Sequence, residues 1–401
     1  MNRIMDDIAD LTEGTSFQSY KYSFDSVRTP EPSYDENPDG YRLVWDKNGE
    51  THPSGKPVNL YEYASQLKKL SVEVGTEPYI RFFLDGSRHV YHVDDVSYGS
   101  RVFPVVAGQV GVACCRRDAG HMSVEHPIIT KRVISLPDLG FKDEWEREAK
   151  INYVRDKINE NERLQTFSSR LGVSLRFDDI LTYSTDERQK GDFKNRGIAS
   201  VQDYMIDAEK GLVDTLARSD KLKNNAYLLK DGSIEYVPMK TGRYADIKAF
   251  LDSYRWVIGV SKSFNPELCQ ISVGRGKTKP NAKAIIKLRQ YERTPVARVS
   301  IDRIPDIEFA VWYVRLRTLQ QTKTPYDGVI KVEKILVTDT EKKDGIKTED
   351  VDNISATLIN ERIPTCYGSD LRYANHLYPV YLTESYVKST YMSTEMFLNL
   401  F

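Results

Sequence analysis

The chain has 401 residues, 40% of them hydrophobic, with 57 basic and 58 acidic side chains and a net charge of -1. A chain of this length buries a substantial core, so wholesale disorder is excluded, and the even charge balance confines any nucleic-acid-binding surface to a local patch. Cys114, Cys115, Cys269 and Cys366 have neither metal-ligand spacing nor a disulfide framework, and no run of about 18 apolar residues occurs, which points to a reducing, cytoplasmic setting without a membrane span.

Residues 1–78 read as an N-terminal extension or arm. Its opening, MNRIMDDIADLTEG, lacks the apolar core of a signal peptide, while Ile4, Met5, Ile8 and Leu11 recur at helical spacing outside the core proper. The stretch TPEPSYDENPDGYR is rich in turn formers, with a weak strand at Tyr41–Trp45 and a short helical pattern at Leu60–Leu70. From Tyr79 the pattern changes. YIRFFLD, RVFPVVAGQVGVACC and IITKRVISL are dense in β-branched and aromatic residues, and they predict an antiparallel meander. The first run closes on Asp85-Gly86-Ser87, which predicts a carboxylate at a strand-to-turn corner, although Asp-Gly-Ser is also an ordinary turn.

A helical insertion of about 142–200 follows, opening with a highly charged helix to about Leu171 that is solvated or partner-facing. The helix VQDYMIDAEKGLVDTLARS then leads into the strand AYLLK and a second Asp-Gly-Ser at Asp231, which is an α/β signature. RYADIKAFLDSY reads as helix, WVIGVSKS as a strand closing on Lys262, and NAKAIIKLRQY as helix. VARVSI, FAVWYVRLR and DGVIKVEKILV read as strands, and VYLTESYVKSTYMSTEMFLNLF as one closing helix.

Taken in order, the DGSR strand, YGSRVFPVVAGQVGVAC, a Glu-bearing helix, the second DGS, VIGVSKS, FAVWYVRLR, DGVIKVEKIL and LYPVYLTESYVKSTYMS resemble the NurA nuclease family, from about Tyr79 to the C-terminus. The resemblance implies an α/β fold with a ribonuclease-H-like mixed sheet flanked by helices, forming a nuclease domain over 79–401. It implies a metal-dependent DNA nuclease, a homodimer docked on a hexameric HerA-type ATPase, in DNA end processing or antiviral defence. Asp85, Glu209 and Asp231 match the family's acidic positions, which bind manganese.

That set suits the chemistry. Phosphodiester hydrolysis needs a more acidic water and a stabilised leaving oxyanion, which two divalent ions about 4 Å apart supply, and hard ions such as Mn2+ or Mg2+ take carboxylate oxygens. Asp207, Glu209 and Asp214 also fit a merely solvated helix face. Lys262 is placed to meet a phosphate or to remain a strand-end lysine in water. The family's histidine after the Tyr-Pro pair is replaced by Tyr386, and His376 lies on the other side of that pair. His89, His92, His121 and His126 lack zinc spacing.

The basic segment VGRGKTKPNAKAIIKLRQYER suits contacts to a DNA backbone, while GRGKT lacks the leading glycine of a phosphate loop, so a partner must supply nucleotide-driven work. Ile4, Met5, Ile8 and Leu11 are candidate anchors for that partner, or one face of a helix packed on its own core. A different class of reading is a catalytically degraded ribonuclease-H-like scaffold that binds DNA or the ATPase.

Overall fold

The computed structural model describes residues 3–401 apart from 18–20, 25–40, 52–64, 126–127, 142–145, 236–243, 365–372 and the single positions 45, 76, 119, 190, 276, 303 and 323. Most of the Pro-rich stretch, residues 60–64 of the Leu60–Leu70 pattern, His126 and Cys366 therefore lie outside the described residues, and the rest of that pattern forms the short strand Ser65–Gln66 and the start of a helix, Lys68–Glu73.

After helix α1 (Ile4–Leu11), the β-branched runs form β1 (Ile80–Tyr98), β2 (Arg101–Asp118) and β3 (Ile129–Pro137), antiparallel neighbours as the meander predicts. Two helices follow, α2 (Arg147–Asn159) and α3 (Glu162–Leu171), where the sequence suggested one. Asn161 divides them: its side chain accepts from the Arg163 and Leu164 amides and starts a new helix, as an N-cap does. Edge strand β4 (Asp179–Tyr183) pairs parallel with β3 and leads to α4 (Phe193–Arg218), capped by Asp192.

The centre of the sheet comes next. Strand β5 (Tyr227–Asp231) lies parallel to β1, and β6 (Val257–Ser261) parallel to β5. Two antiparallel strands, β7 (Ile304–Arg315) and β8 (Val329–Ile335), continue the run in the order β4-β3-β2-β1-β5-β6-β8-β7, and the short strands Glu292–Arg293 and Ser65–Gln66 extend it beyond β7. Helix α5 (Thr348–Glu361) is buried on most sides, and two of its hydroxyls are satisfied within it. Ser355 donates to the Val351 carbonyl at 2.7 Å and Thr357 to that of Asn353 at 2.8 Å. The closing segment splits into α6 (Tyr378–Ser389) and α7 (Thr394–Leu398), with Ser393 capping the second.

Strand alternation assigns the faces. Phe82, Leu84 and Leu228 pack with Leu212, Val213 and Leu216 of α4. Phe83, Leu229, Ile258 and Val260 pack with Ile354 and Leu358 of α5 and Val380 of α6. Burying each of these large side chains contributes roughly 1.5–3 kcal/mol. The result is a large mixed sheet flanked by helices, and no described helix is long and apolar enough to cross a membrane.

Two expectations are corrected here. Asp85-Gly86-Ser87 makes no corner: β1 runs through it, with Asp85 opposite Ala113 and Gly86 opposite Val112, and turns only after Tyr98. The long apolar partner strand β2 keeps the ladder intact. The candidate docking anchors are also occupied, since Ile4, Met5 and Ile8 are buried with Phe103, Ile134, Phe397 and Phe401. Described strands of residues 1–78 likewise pair with the rest of the molecule, Thr15–Phe17 and Tyr22–Ser23 along β1, Tyr41–Leu43 beside Ala297–Ile301, and Glu50–Thr51 with Ile346–Lys347 in a separate two-stranded sheet.

Candidate functional site

Three parallel strands, β1, β5 and β6, run side by side through the middle of the sheet, and the register brings the carboxyl ends of β5 and β6 level with Asp85, which lies within β1. Leu84 pairs with Lys230 and Asp231 with Val260, so Asp85 and Asp231 emerge next to one another, with Lys262 just beyond on the third strand. Beyond Leu84, β5 no longer accompanies β1, and Gly232, at φ +86°, turns β5 away. Crevices at the carboxyl ends of parallel strands are where α/β sheets place their ligands.

Alternation then divides the candidate residues between faces. Asp85, Asp231 and Lys262 follow Phe83, Leu229 and Val260 toward α6. There the Lys262 ammonium lies 2.8 Å from Asp231 Oδ2, and its side chain is 8% exposed. Glu209 lies across the sheet, on the α4 face, where it pairs with Lys230 at 3.2 Å. Its carboxylate crowds Gly86 so closely that a Cβ at position 86 would overlap Glu209 Oε1. A glycine inside a strand often marks such an approach, which is the local reason for Gly86. Tyr386 lies on α6 but is 44% exposed.

Two residues that the sequence did not single out join the cluster. Glu384, on α6, faces Asp85, Asp231 and Lys262 closely enough to act on each electrostatically and also pairs with Lys388 at 2.7 Å. Tyr386 is two positions later, about 200° around the helix, and does not share that side. His376, distant from the motif along the sequence, is buried close to Asp231. The turn Tyr373–Asn375 brings it back, and Asn375 fixes the strand end by donating from Nδ2 to the Lys262 carbonyl at 2.7 Å. The signal for Glu384 was its place one turn and a half into the Tyr-Pro helix.

The electrostatics separate two neighbouring carboxyls. Burial pushes Asp85 well above the usual carboxylate range, the charges of Asp231 and Glu384 push the same way, and Lys262 opposes them. Burial also acts on Asp231, but the Lys262 ammonium outweighs it and holds Asp231 below its ordinary value. Burial acts against the charge of Lys262, and Asp231, Asp85 and Glu384 more than restore it. Glu384 is held low, burial being outweighed by Lys262 and Lys388. The same burial thus ends in opposite directions for two adjacent carboxyls, Asp85 raised and Asp231 lowered, because the ammonium stands next to Asp231.

Asp85 Oδ2 is buried and has no hydrogen-bond partner among the described residues. A buried oxygen of this kind costs about 1–3 kcal/mol unless something meets it. The donors around it are carboxylates, so the residues fit a hard divalent ion in chemistry. Among the described residues no three Asp, Glu, His or Cys side chains form a ready-made metal group, because Asp231 and Glu209 are turned to lysines. His92 is buried against Asp95 at 3.3 Å, and the GRGKT segment forms the tip of the hairpin Gln270–Gly274/Lys277–Pro280, with Lys277 and Lys279 exposed. No family model matches the chain, and no curated protein matches it.

Proposed function

We propose that the chain is a divalent-metal-dependent deoxyribonuclease with a ribonuclease-H-like core, related to the NurA nucleases. The observation that supports this best is the buried Asp85 Oδ2, which has no hydrogen-bond partner among the described residues and lies level with the carboxyl ends of β5 and β6, beside Asp231, Glu384 and Lys262. In this reading Asp85 and Asp231 hold Mn2+ or Mg2+, with Glu384 in the place that the sequence suggested for Glu209. The bound ion supplies charge for the attacked phosphate and a more acidic water.

The chain's own groups do the rest. Asp85 gives up its proton as it takes on a positive partner, Lys262 neutralises charge on the phosphate oxygens, and Asn375 keeps Lys262 in place through its carbonyl. Glu209 acts from the other face, bracing Gly86 and Lys230 rather than touching the phosphate. Tyr386, on the outside of α6, meets DNA as an exposed aromatic and takes no part in proton transfer. The exposed Lys277 and Lys279 hairpin adds backbone contacts.

The biological setting that follows is cytoplasmic, a homodimer working with a hexameric HerA-type ATPase on DNA ends in repair or antiviral defence. Because α1 is packed into the chain's own core, the ATPase would dock elsewhere than on Ile4, Met5 and Ile8. The lysine pairing of Asp231 and Glu209 favours a second reading, a non-catalytic scaffold that binds DNA. Incubating purified protein with end-labelled DNA decides: cleavage with Mn2+ or Mg2+ that stops with chelator supports the nuclease, DNA binding with no cleavage under any metal supports the scaffold, and cleavage that survives chelation overturns both.

A further inference from the structure

We infer that the site takes one divalent cation per chain, and that the Lys262 ammonium stands where a second would be held. The inference rests on the metal-dependent reading above and departs from the two-ion arrangement that the carboxylate set suggested. Its first ground is geometry. Lys262 Nζ lies 2.8 Å from Asp231 Oδ2 with its side chain almost wholly buried, and its backbone is pinned by Asn375, so the ammonium belongs to the site. Its second ground is the sheet. Glu209 is on the opposite face and engaged with Lys230, and Glu384, which takes its place, is itself paired with Lys388 at 2.7 Å.

The third ground is charge. Asp85, Asp231, Glu384 and Glu209 are four carboxylates, set against the ammoniums of Lys230, Lys262 and Lys388. With all four ionised the cluster is short of one positive charge. One divalent ion leaves a single positive charge in excess, whereas two would leave three in a poorly solvated site. Asp85 is the member with a buried oxygen that lacks a partner among the described residues, so the single ion belongs there.

The test counts ions on the full chain without DNA, by isothermal titration with MnCl2 and by the electron paramagnetic resonance of free Mn2+. The expected result is one Mn2+ per chain, lost in Asp85→Asn. Lys262→Met is expected to bind two Mn2+ per chain, or one at least tenfold more tightly. Two equivalent ions on the unmodified chain overturn the inference, as does a single ion that Asp85→Asn retains, or a Lys262→Met variant with unchanged count and affinity. If Lys262→Met loses its cooperative melt, the unmodified count and Asp85→Asn still decide. No Mn2+ on any variant overturns this inference together with the metal-dependent reading, whereas one bound ion without DNA cleavage overturns the nuclease alone.

Discussion

Two buried charge clusters in this molecule have the same ingredients and opposite character. In the first, Arg293 and Glu50 are 0% and 1% exposed, and the guanidinium donates to Glu50 Oε1 at 2.6 Å, to Glu50 Oε2 at 3.1 Å, to Asp352 at 2.6 Å and to the Thr294 carbonyl at 3.0 Å. Glu50 also accepts the Val296 amide, so both its oxygens are used. In the second, Asp85 is also buried, but its Oδ2 has no hydrogen bond among the described residues and its neighbours are mostly negative. Burial of charge is therefore not itself a mark of function. A closed network ties two short strands, Glu50–Thr51 and Glu292–Arg293, to helix α5, while an incomplete one beside the carboxyl ends of β5 and β6 stays available to a ligand.

Asp85→Asn breaks the second cluster and should have the largest effect. Cleavage of labelled DNA with Mn2+ should fall by at least about 1,000-fold, beyond the loss of a single oxyanion donor. The thermal melt at pH 7 should hold or rise, because the folded state already disfavours the charge removed. A variant that cuts DNA at the normal rate would remove Asp85 from the site.

Glu50→Ala breaks the first cluster, leaving Arg293 buried without its bidentate partner. Unfolding in urea should show a loss of about 3–5 kcal/mol. At temperatures where the variant stays folded its cleavage rate should match the parent's, and a selective loss of activity would mean that the two clusters are not independent.

A third carboxyl tests whether an incomplete network always lowers stability. Glu235 pairs with Lys331 at 3.0 Å, yet burial and the nearby charge of Glu333 raise it to about 7 from an ordinary 4.5. Between those values the folded chain keeps a proton that the unfolded chain gives up. Stability should therefore fall as pH rises from about 4.5 to 7 and then level, by up to roughly 3 kcal/mol. Glu235→Gln should flatten that part of the profile, measured by urea melts at several pH values. An unchanged slope would assign the dependence to other groups, Asp85 first among them.

Legibility of the site varied from residue to residue, for physical reasons. Asp231 was readable in place, because Asp-Gly after a short apolar strand signals a turn and Gly232 takes the positive φ that such a turn needs. Asp85 was singled out with the wrong local geometry, since the same three residues are carried through by the ladder with β2. Glu384 carries no motif of its own within the Tyr-Pro helix, and the distance of His376 along the sequence is made irrelevant by the three-residue turn Tyr373–Asn375.

Composition and periodicity by themselves determined the α/β class, the meander of β1 to β3, the helix–strand passage from α4 to β5, and the types of side chain available for chemistry. These depend on local propensity and on which residues alternate, both of which are written along the chain. Tertiary structure alone decided that β1, β5 and β6 lie side by side and parallel, that Asp85 and Asp231 share a face while Glu209 lies on the other, and that α6 brings Glu384 to them. Those facts depend on strand order and register between segments more than a hundred residues apart, and a shift of one residue in register would send each carboxylate to the opposite face.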